Sequence, residues 1–106
     1  MLSKTPRPPY VAIIFTSQQT GDLGGYDETS ARMEELAAAQ PGYLGIESTR
    51  DTAGFGITVS YWTDAQSARD WKAVAEHQAA QERGRSQWYV AYRVRIATVE
   101  REYPDG

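Results

Sequence analysis

Six patterned segments in the order strand, helix, strand, strand, helix, strand predict an α+β domain, a ferredoxin-like βαββαβ sandwich whose four-stranded antiparallel sheet carries both helices on one face. Two further observations support that order. Helix-spaced apolar residues separate the first strand from the second and the third from the fourth. The middle two strands are instead joined by Asp51-Thr52-Ala53-Gly54, a short Gly-containing hairpin connection.

Tyr10 to Ser17 is rich in β-branched and aromatic residues and apolar at both parities, which predicts a first strand covered on both faces. Residues 18–25 form a glycine-bearing loop, and Asp27 is a candidate N-cap for a helix over 28–39, with Glu28, Glu34 and Glu35 near its start or outer face. Pro41-Gly42 stops that helix, whose Ala31, Leu36 and Ala37, beside Met33 and Ala38, make a small-residue stripe suited to lying close on a sheet. Strands over 43–50 and 55–62 follow. Phe55, Ile57, Val59 and Tyr61 share one face of the second, and Thr58, Ser60 and Trp62 share the other. Thr63 or Asp64 caps a second helix with Ala65, Ala68, Trp71 and Ala75 at helical spacing, and Gly84 ends it. A long strand from Trp88 to about Tyr103 completes the domain. Alternation puts Trp88, Val90, Tyr92, Val94 and Ile96 on one of its faces and Tyr89, Ala91, Arg93, Arg95, Ala97 and Val99 on the other. Residues 1–9, with three prolines, are expected as a flexible lead-in to a single domain over 10–103. The sheet face away from the helices needs cover, and a second copy of the chain is the economical source.

Composition excludes several classes of function. A chain of 106 residues fits one domain burying roughly 65% of its unfolded surface. Hydrophobic residues make up 41% and charged ones 24%, as in a soluble globular domain. The longest apolar run, Val11 to Phe15, is too short to span a bilayer, and the N-terminus lacks a secretory signal pattern. Cysteine is absent, which removes disulfides, zinc-thiolate sites and thiol nucleophiles and is compatible with the cytoplasm. With a net charge of −3 and Glu76, Glu82, Glu100 and Glu102 interleaved among the arginines of the last third, neither nucleic acid nor an anionic membrane is an expected partner. One histidine without an acidic cluster at ligand spacing gives no metal site, no nucleophile-elbow sequence accompanies His77 and Ser86, and Gly21, Gly24 and Gly25 lack phosphate-loop spacing.

Gln40-Pro41-Gly42-Tyr43-Leu44-Gly45 with Glu47-Ser48, then Tyr61-Trp62, Ala68 through Trp71-Lys72, His77, Gly84 and Val99-Glu100-Arg101 resemble the antibiotic biosynthesis monooxygenase family over about residues 10–103. The resemblance implies a homodimeric α/β barrel with two sheets face to face, each subunit holding its own cleft between helices and sheet. It also implies a cofactor-independent monooxygenase that uses molecular oxygen on a small aromatic or quinol-like substrate. The haem-degrading branch of the superfamily is similar in placing a Trp and a His on the second helix region with an Asn on the first strand. By that likeness Trp71 and His77 imply a haem alternative with His77 as axial ligand, although the chain has no asparagine and the first-strand position falls on Ala12, Ile14 or Thr16. A non-enzymatic dimer that binds a hydrophobic small molecule is the third reading.

Within this frame the candidate catalytic residues are His77, Trp71, Tyr92 and Arg95, and the candidate substrate-binding residues are Tyr61, Trp62, Trp88 and Tyr89. His77 alone has an unperturbed pKa near neutrality, so it is the candidate general base for a phenolic proton. The series Trp71, Val74, His77 drifts slowly around one side of the helix, which permits a shared cleft. Trp71 and Trp88 would shape an aromatic slot, and Tyr92 or Arg95 would stabilise an oxyanion. The competing structural readings are a helix-end hydrogen bond for His77, core packing for Trp62, Trp71 and Trp88, and pairing of Arg93 and Arg95 with carboxylates such as Glu47, Glu100 or Glu102.

Overall fold

The computed structural model describes residues 2–82 and 87–104, with the backbone alone for 80–82. The elements follow the expected order: β1 Tyr10–Gln19, α1 Tyr26–Ala38, β2 Tyr43–Arg50, β3 Phe55–Trp62, α2 Ala65–Glu82 and β4 Tyr89–Val99. The strands form one sheet in the order β2-β3-β1-β4, and every neighbouring pair is antiparallel. This is the ferredoxin-like βαββαβ arrangement. The expected helix stop at Gly84 and Ser86 lie outside the described residues.

Strand β1 is apolar at both parities because it is central. Val11, Ile13 and Phe15 face the helices, whereas Tyr10, Ala12 and Ile14 face the other way, and Tyr10 and Ala12 are as buried as Val11 and Ile13. Register carries these faces across the sheet. Ile13 pairs with Ser60 and Ile96, Phe15 with Thr58 and Val94, and Ile14 with Val59 and Arg95. The core lies under the helices, where Val11, Ile13, Ala37, Trp62, Ala68 and Trp71 form one cluster and Met33, Leu36 and Val74 pack against it.

Both helix starts refine the expected caps. Asp27 does not cap α1. Gly25, in the left-handed region at φ 79°, precedes the helix, and its carbonyl accepts the Thr29 N–H at 3.1 Å. Asp27 and Glu28 lie in the first turn instead, where their charges oppose the helix dipole. For α2, Asp64 rather than Thr63 is the cap, since its Oδ1 accepts the Ser67 N–H at 2.8 Å and this bond lowers the carboxyl pKa. Between α1 and β2, Gly42 has φ 83° and lies against Ser67 and Thr63, so a side chain there would meet both strain and overlap.

Strand β4 is shorter than expected, ending at Val99. A register shift between Gln18 and Gln19 pairs Gln19 with Tyr89 and turns Tyr89 to the helix-covered face, contrary to simple alternation. Beyond Val99 the chain leaves the sheet, and Glu102 returns to accept the Tyr10 hydroxyl hydrogen bond at 3.0 Å. The lead-in lies along the open face, where Ser3 donates its N–H to Glu47 Oε2 at 2.9 Å and the Thr5 hydroxyl lies 3.0 Å from Glu102 Oε2. No helix among the described residues is long and apolar enough to cross a membrane.

Candidate functional site

Small residues on the facing sides of α1 and α2, Thr29, Ser30, Ala75 and Ala79, leave a cavity of about 200 Å³ between the helices and the sheet. Its walls are largely apolar: Ile13, Phe15 and Val94 from the sheet, Met33 from α1 and Trp71 from α2. Trp71 lies nearly parallel to Trp62, with ring centroids 5.9 Å apart and planes 20° apart. Trp62 is fully buried and donates its indole N–H to Ser60 Oγ at 2.9 Å, so it backs the wall formed by Trp71 rather than lining the cavity. Toward the other end, Trp88 meets Tyr26 edge-on at 5.4 Å and anchors its N–H on the Gly24 carbonyl at 2.9 Å. Tyr89 stands edge-on to Phe15 at 5.4 Å.

The polar groups of this cavity are mostly matched. Ser48 Oγ and Thr58 Oγ1 share a hydrogen bond at 2.7 Å, and Lys72 is ion-paired with Glu76. Arg50 differs, because its guanidinium reaches the cavity while hydrogen-bonding only to neutral oxygens of Ser17 and Gly54. Among the described residues, no group of three or more His, Cys, Asp or Glu side chains converges as a metal site.

Of the sequence's candidates, the structure brings Trp71, Trp88 and Tyr89 to the cavity and Trp62 directly behind it. His77 is exposed and does not line it. Cavity residues on α2 follow an i, i+4 line through Trp71, Ala75 and Ala79, whereas the i, i+3 drift from Trp71 through Val74 has turned about 120° away by His77. Tyr92 stacks on Phe15 at 5.9 Å but stands outside the lining, half exposed at the sheet edge. Arg95 and Tyr61 lie on the opposite face of the sheet. There Tyr61 donates its hydroxyl hydrogen bond to Glu47 Oε1 at 2.6 Å and meets Tyr10 edge-on at 5.8 Å. Burial, reinforced by Glu47, pushes the Tyr61 hydroxyl pKa up to about 12, and the same hydrogen bond holds the Glu47 carboxyl below its usual range. Glu47 and Glu102 are therefore hydrogen-bonded to tyrosines, and no ion pair to Arg93 or Arg95 exists among the described residues.

Arg50, Phe15 and Tyr26 escaped the sequence reading. For Arg50 a signal existed: it falls on the parity of Ile46 and Ser48, and across the hairpin it faces Gly56, a residue with no side chain to block a long neighbour.

Comparison with known proteins fits this architecture. The family model described as "Antibiotic biosynthesis monooxygenase" matches residues 9–83. The uncharacterised protein YqjZ of Bacillus subtilis is 54% identical over 101 residues, covering 95% of this chain and 89% of that protein. Among solved structures, SnoaB, a cofactor-independent oxygenase from Streptomyces nogalater, superposes with a TM-score of 0.74 at 18% identity, covering 92% of this chain and all of that one. PA3566 from Pseudomonas aeruginosa gives a TM-score of 0.68 at 15% identity, with 92% and 98% of the two chains covered.

Proposed function

The chain belongs to the antibiotic biosynthesis monooxygenase family, and from that premise we propose that its cavity binds a small planar phenol or quinol-like molecule and oxidises it with molecular oxygen, without metal or flavin. The observation that carries this reading is the aromatic-walled slot itself. An apolar cavity of about 150 Å³ accepts benzene, so one of about 200 Å³ between Trp71, Trp88 and Phe15 suits one or two fused rings. The likeness to a cofactor-independent oxygenase supports the same reaction class.

The reaction balances without an external reductant. A phenol with hydrogen at the para carbon loses its hydroxyl proton, and the electron-rich ring passes electrons to dioxygen. A carbon–oxygen bond forms at the para carbon, the O–O bond then breaks, and the carbon's proton departs with the second oxygen as water. Phenol plus dioxygen thus gives quinone plus water. Trp71 and Trp88 hold the ring in a water-poor slot, and the Arg50 guanidinium favours the phenolate over the phenol.

The working unit is a homodimer through the open face of the sheet. Phe55 and Ile57 are 46% and 38% exposed there. Glu47 stands on the β2 edge of that face and Arg93 and Arg95 on the β4 edge, so a two-fold axis parallel to the strands sets each chain's acidic edge against its partner's basic edge.

Oxygen uptake with 1-naphthol tests the activity. The expected result is one dioxygen consumed per naphthoquinone formed, no hydrogen peroxide, and at least a tenfold loss of rate in Trp71→Ala. Binding of 1-naphthol with no oxygen consumption would reduce the protein to a ligand binder. Absence of both would overturn the reading of the cavity.

A further inference from the structure

The β2–β3 hairpin closes where Arg50 pairs with Gly56. The Arg50 guanidinium lies flat against that glycine, and a methyl group at Gly56 would come within 2.6 Å of Arg50 Cζ. The Tyr89 ring centroid is 5.9 Å from Cζ, close enough for a cation–π contact. Arg50 Nη1 donates to the carbonyls of Gly54 at 2.6 Å and Ser17 at 3.3 Å, and Nη2 donates to Ser17 Oγ at 2.7 Å. Ser17 is itself fully buried, so the acceptor that orients Nη2 has no freedom to swing away.

Every one of these partners is neutral. The adjacent carboxylate, Asp51, turns into the hairpin loop, where its Oδ1 accepts the N–H groups of Ala53 and Phe55 at 2.9 Å each. Among the described residues Arg50 has no ion-pair partner, while Lys72, which also lines the cavity, has Glu76. A guanidinium offers five N–H donors in a rigid fork, and the three bonds leave part of that fork unused. A partly desolvated cation at the edge of an apolar slot, fixed in place and lacking a counter-charge, is a binding determinant for an anion.

We propose that Arg50 is the specificity residue of the cavity, and that its ligand is a planar aromatic bearing one anionic oxygen group, a carboxylate or a phenolate, directed at the Arg50 guanidinium. This rests on the reading of the cavity as an aromatic-binding slot. Tyr89 contacts the guanidinium through its ring, Gly56 gives it room, and Ser17 sets its orientation through two hydrogen bonds.

Calorimetric titration with 2-naphthoate and its neutral counterpart 2-naphthamide tests the proposal. The expected result is binding of both, with the carboxylate about 10- to 100-fold tighter, the range of a hydrogen bond to a charged group. Arg50→Gln should abolish that preference while still binding the amide, which also reports that the variant is folded. Gly56→Ala keeps the charge but displaces the guanidinium, and should reduce the preference without changing amide binding. Equal affinities in the natural chain together with a bound 4-nitrophenol titration that Arg50→Gln leaves unmoved, or a preference that survives Arg50→Gln, would overturn the role of Arg50 and leave the slot standing. Failure of both compounds to bind would remove the slot reading and this proposal with it. For the phenolate arm, the absorbance of bound 4-nitrophenol should titrate at lower pH in the natural chain than in Arg50→Gln. Such a shift without a naphthoate preference assigns the site to phenolates.

Discussion

The same four strands build two chemically different surfaces. On the helix-covered face, Ile13, Phe15 and Val94 meet Trp71 and Met33 around a cavity whose charged lining is Glu34, the ion-paired Lys72 and Arg50, the last hydrogen-bonded to neutral oxygens. One residue along each strand, the open face carries Glu47 on the β2 edge, Tyr61 and Tyr10 on the two central strands and Arg93 and Arg95 on the β4 edge, with Phe55 and Ile57 exposed to solvent. Its carboxylates are hydrogen-bonded to tyrosine hydroxyls. The difference separates two tasks. The helix side is closed within one chain around a small cavity, whereas the open side leaves apolar and charged residues exposed side by side.

The largest expected effect lies on the helix side. Trp62→Ala removes a fully buried indole that backs Trp71, and denaturant unfolding should register a loss of about 3–5 kcal/mol. A loss below about 1 kcal/mol would mean that Trp71 and the cavity wall stand without this support.

Next comes the open face. Ile57→Asp puts a charge at the middle of the exposed apolar strip, and light scattering should find the dimer dissociating at concentrations at least tenfold higher than for the natural chain. Naphthol binding should persist within threefold, because no residue lining the cavity is altered. Concerted loss of dimer and ligand binding would break the separation between the faces and make the cavity depend on the partner.

A smaller effect concerns pH. The Tyr61 pKa is raised from 10.0 to about 12, so this group favours folding fully below about pH 10, and that contribution disappears as pH rises toward 12. The Glu47 pKa is lowered from 4.5, so its contribution is present above about pH 4.5 and fades as pH falls through the lowered value. Thermal melts should therefore show Tyr61→Phe flattening the decline between pH 10 and 12 and weakening the acid-side dependence. Retention of both dependences in Tyr61→Phe would move their origin away from this pair.

How much of this was legible depends on the kind of signal. Strand and helix positions were readable because apolar periodicity and turn residues such as Pro41-Gly42 and the 51–54 hairpin act locally. The stack of Trp62 on Trp71 was not, since it joins β3 to α2 through tertiary packing. Alternation along β4 placed Tyr92 and Val94 together, then failed at Tyr89, because consecutive Gln18 and Gln19 pair with Ala91 and Tyr89, and the extra residue Val90 that reverses the parity of β4 is defined only by its pairing with β1. Arg50 is the instructive omission. Its chemistry depends on a glycine across a hairpin and a serine on β1, a three-strand coincidence that periodicity along one segment does not report.

The smallest expected effect belongs to the residue that sequence chemistry favoured most. His77 is the one imidazole of the chain, yet it is exposed on the side of α2 away from Trp71, Ala75 and Ala79. With Arg50 stabilising the phenolate, the proton can leave to water at the cavity mouth, and His77→Ala should change naphthol affinity and oxygen uptake by less than about twofold. A tenfold fall in oxygen uptake at unchanged affinity would give the opposite lesson. It would mean that the proton path crosses α2 or enters from a second subunit, and that the helix-covered face is not the self-contained reaction chamber its walls describe.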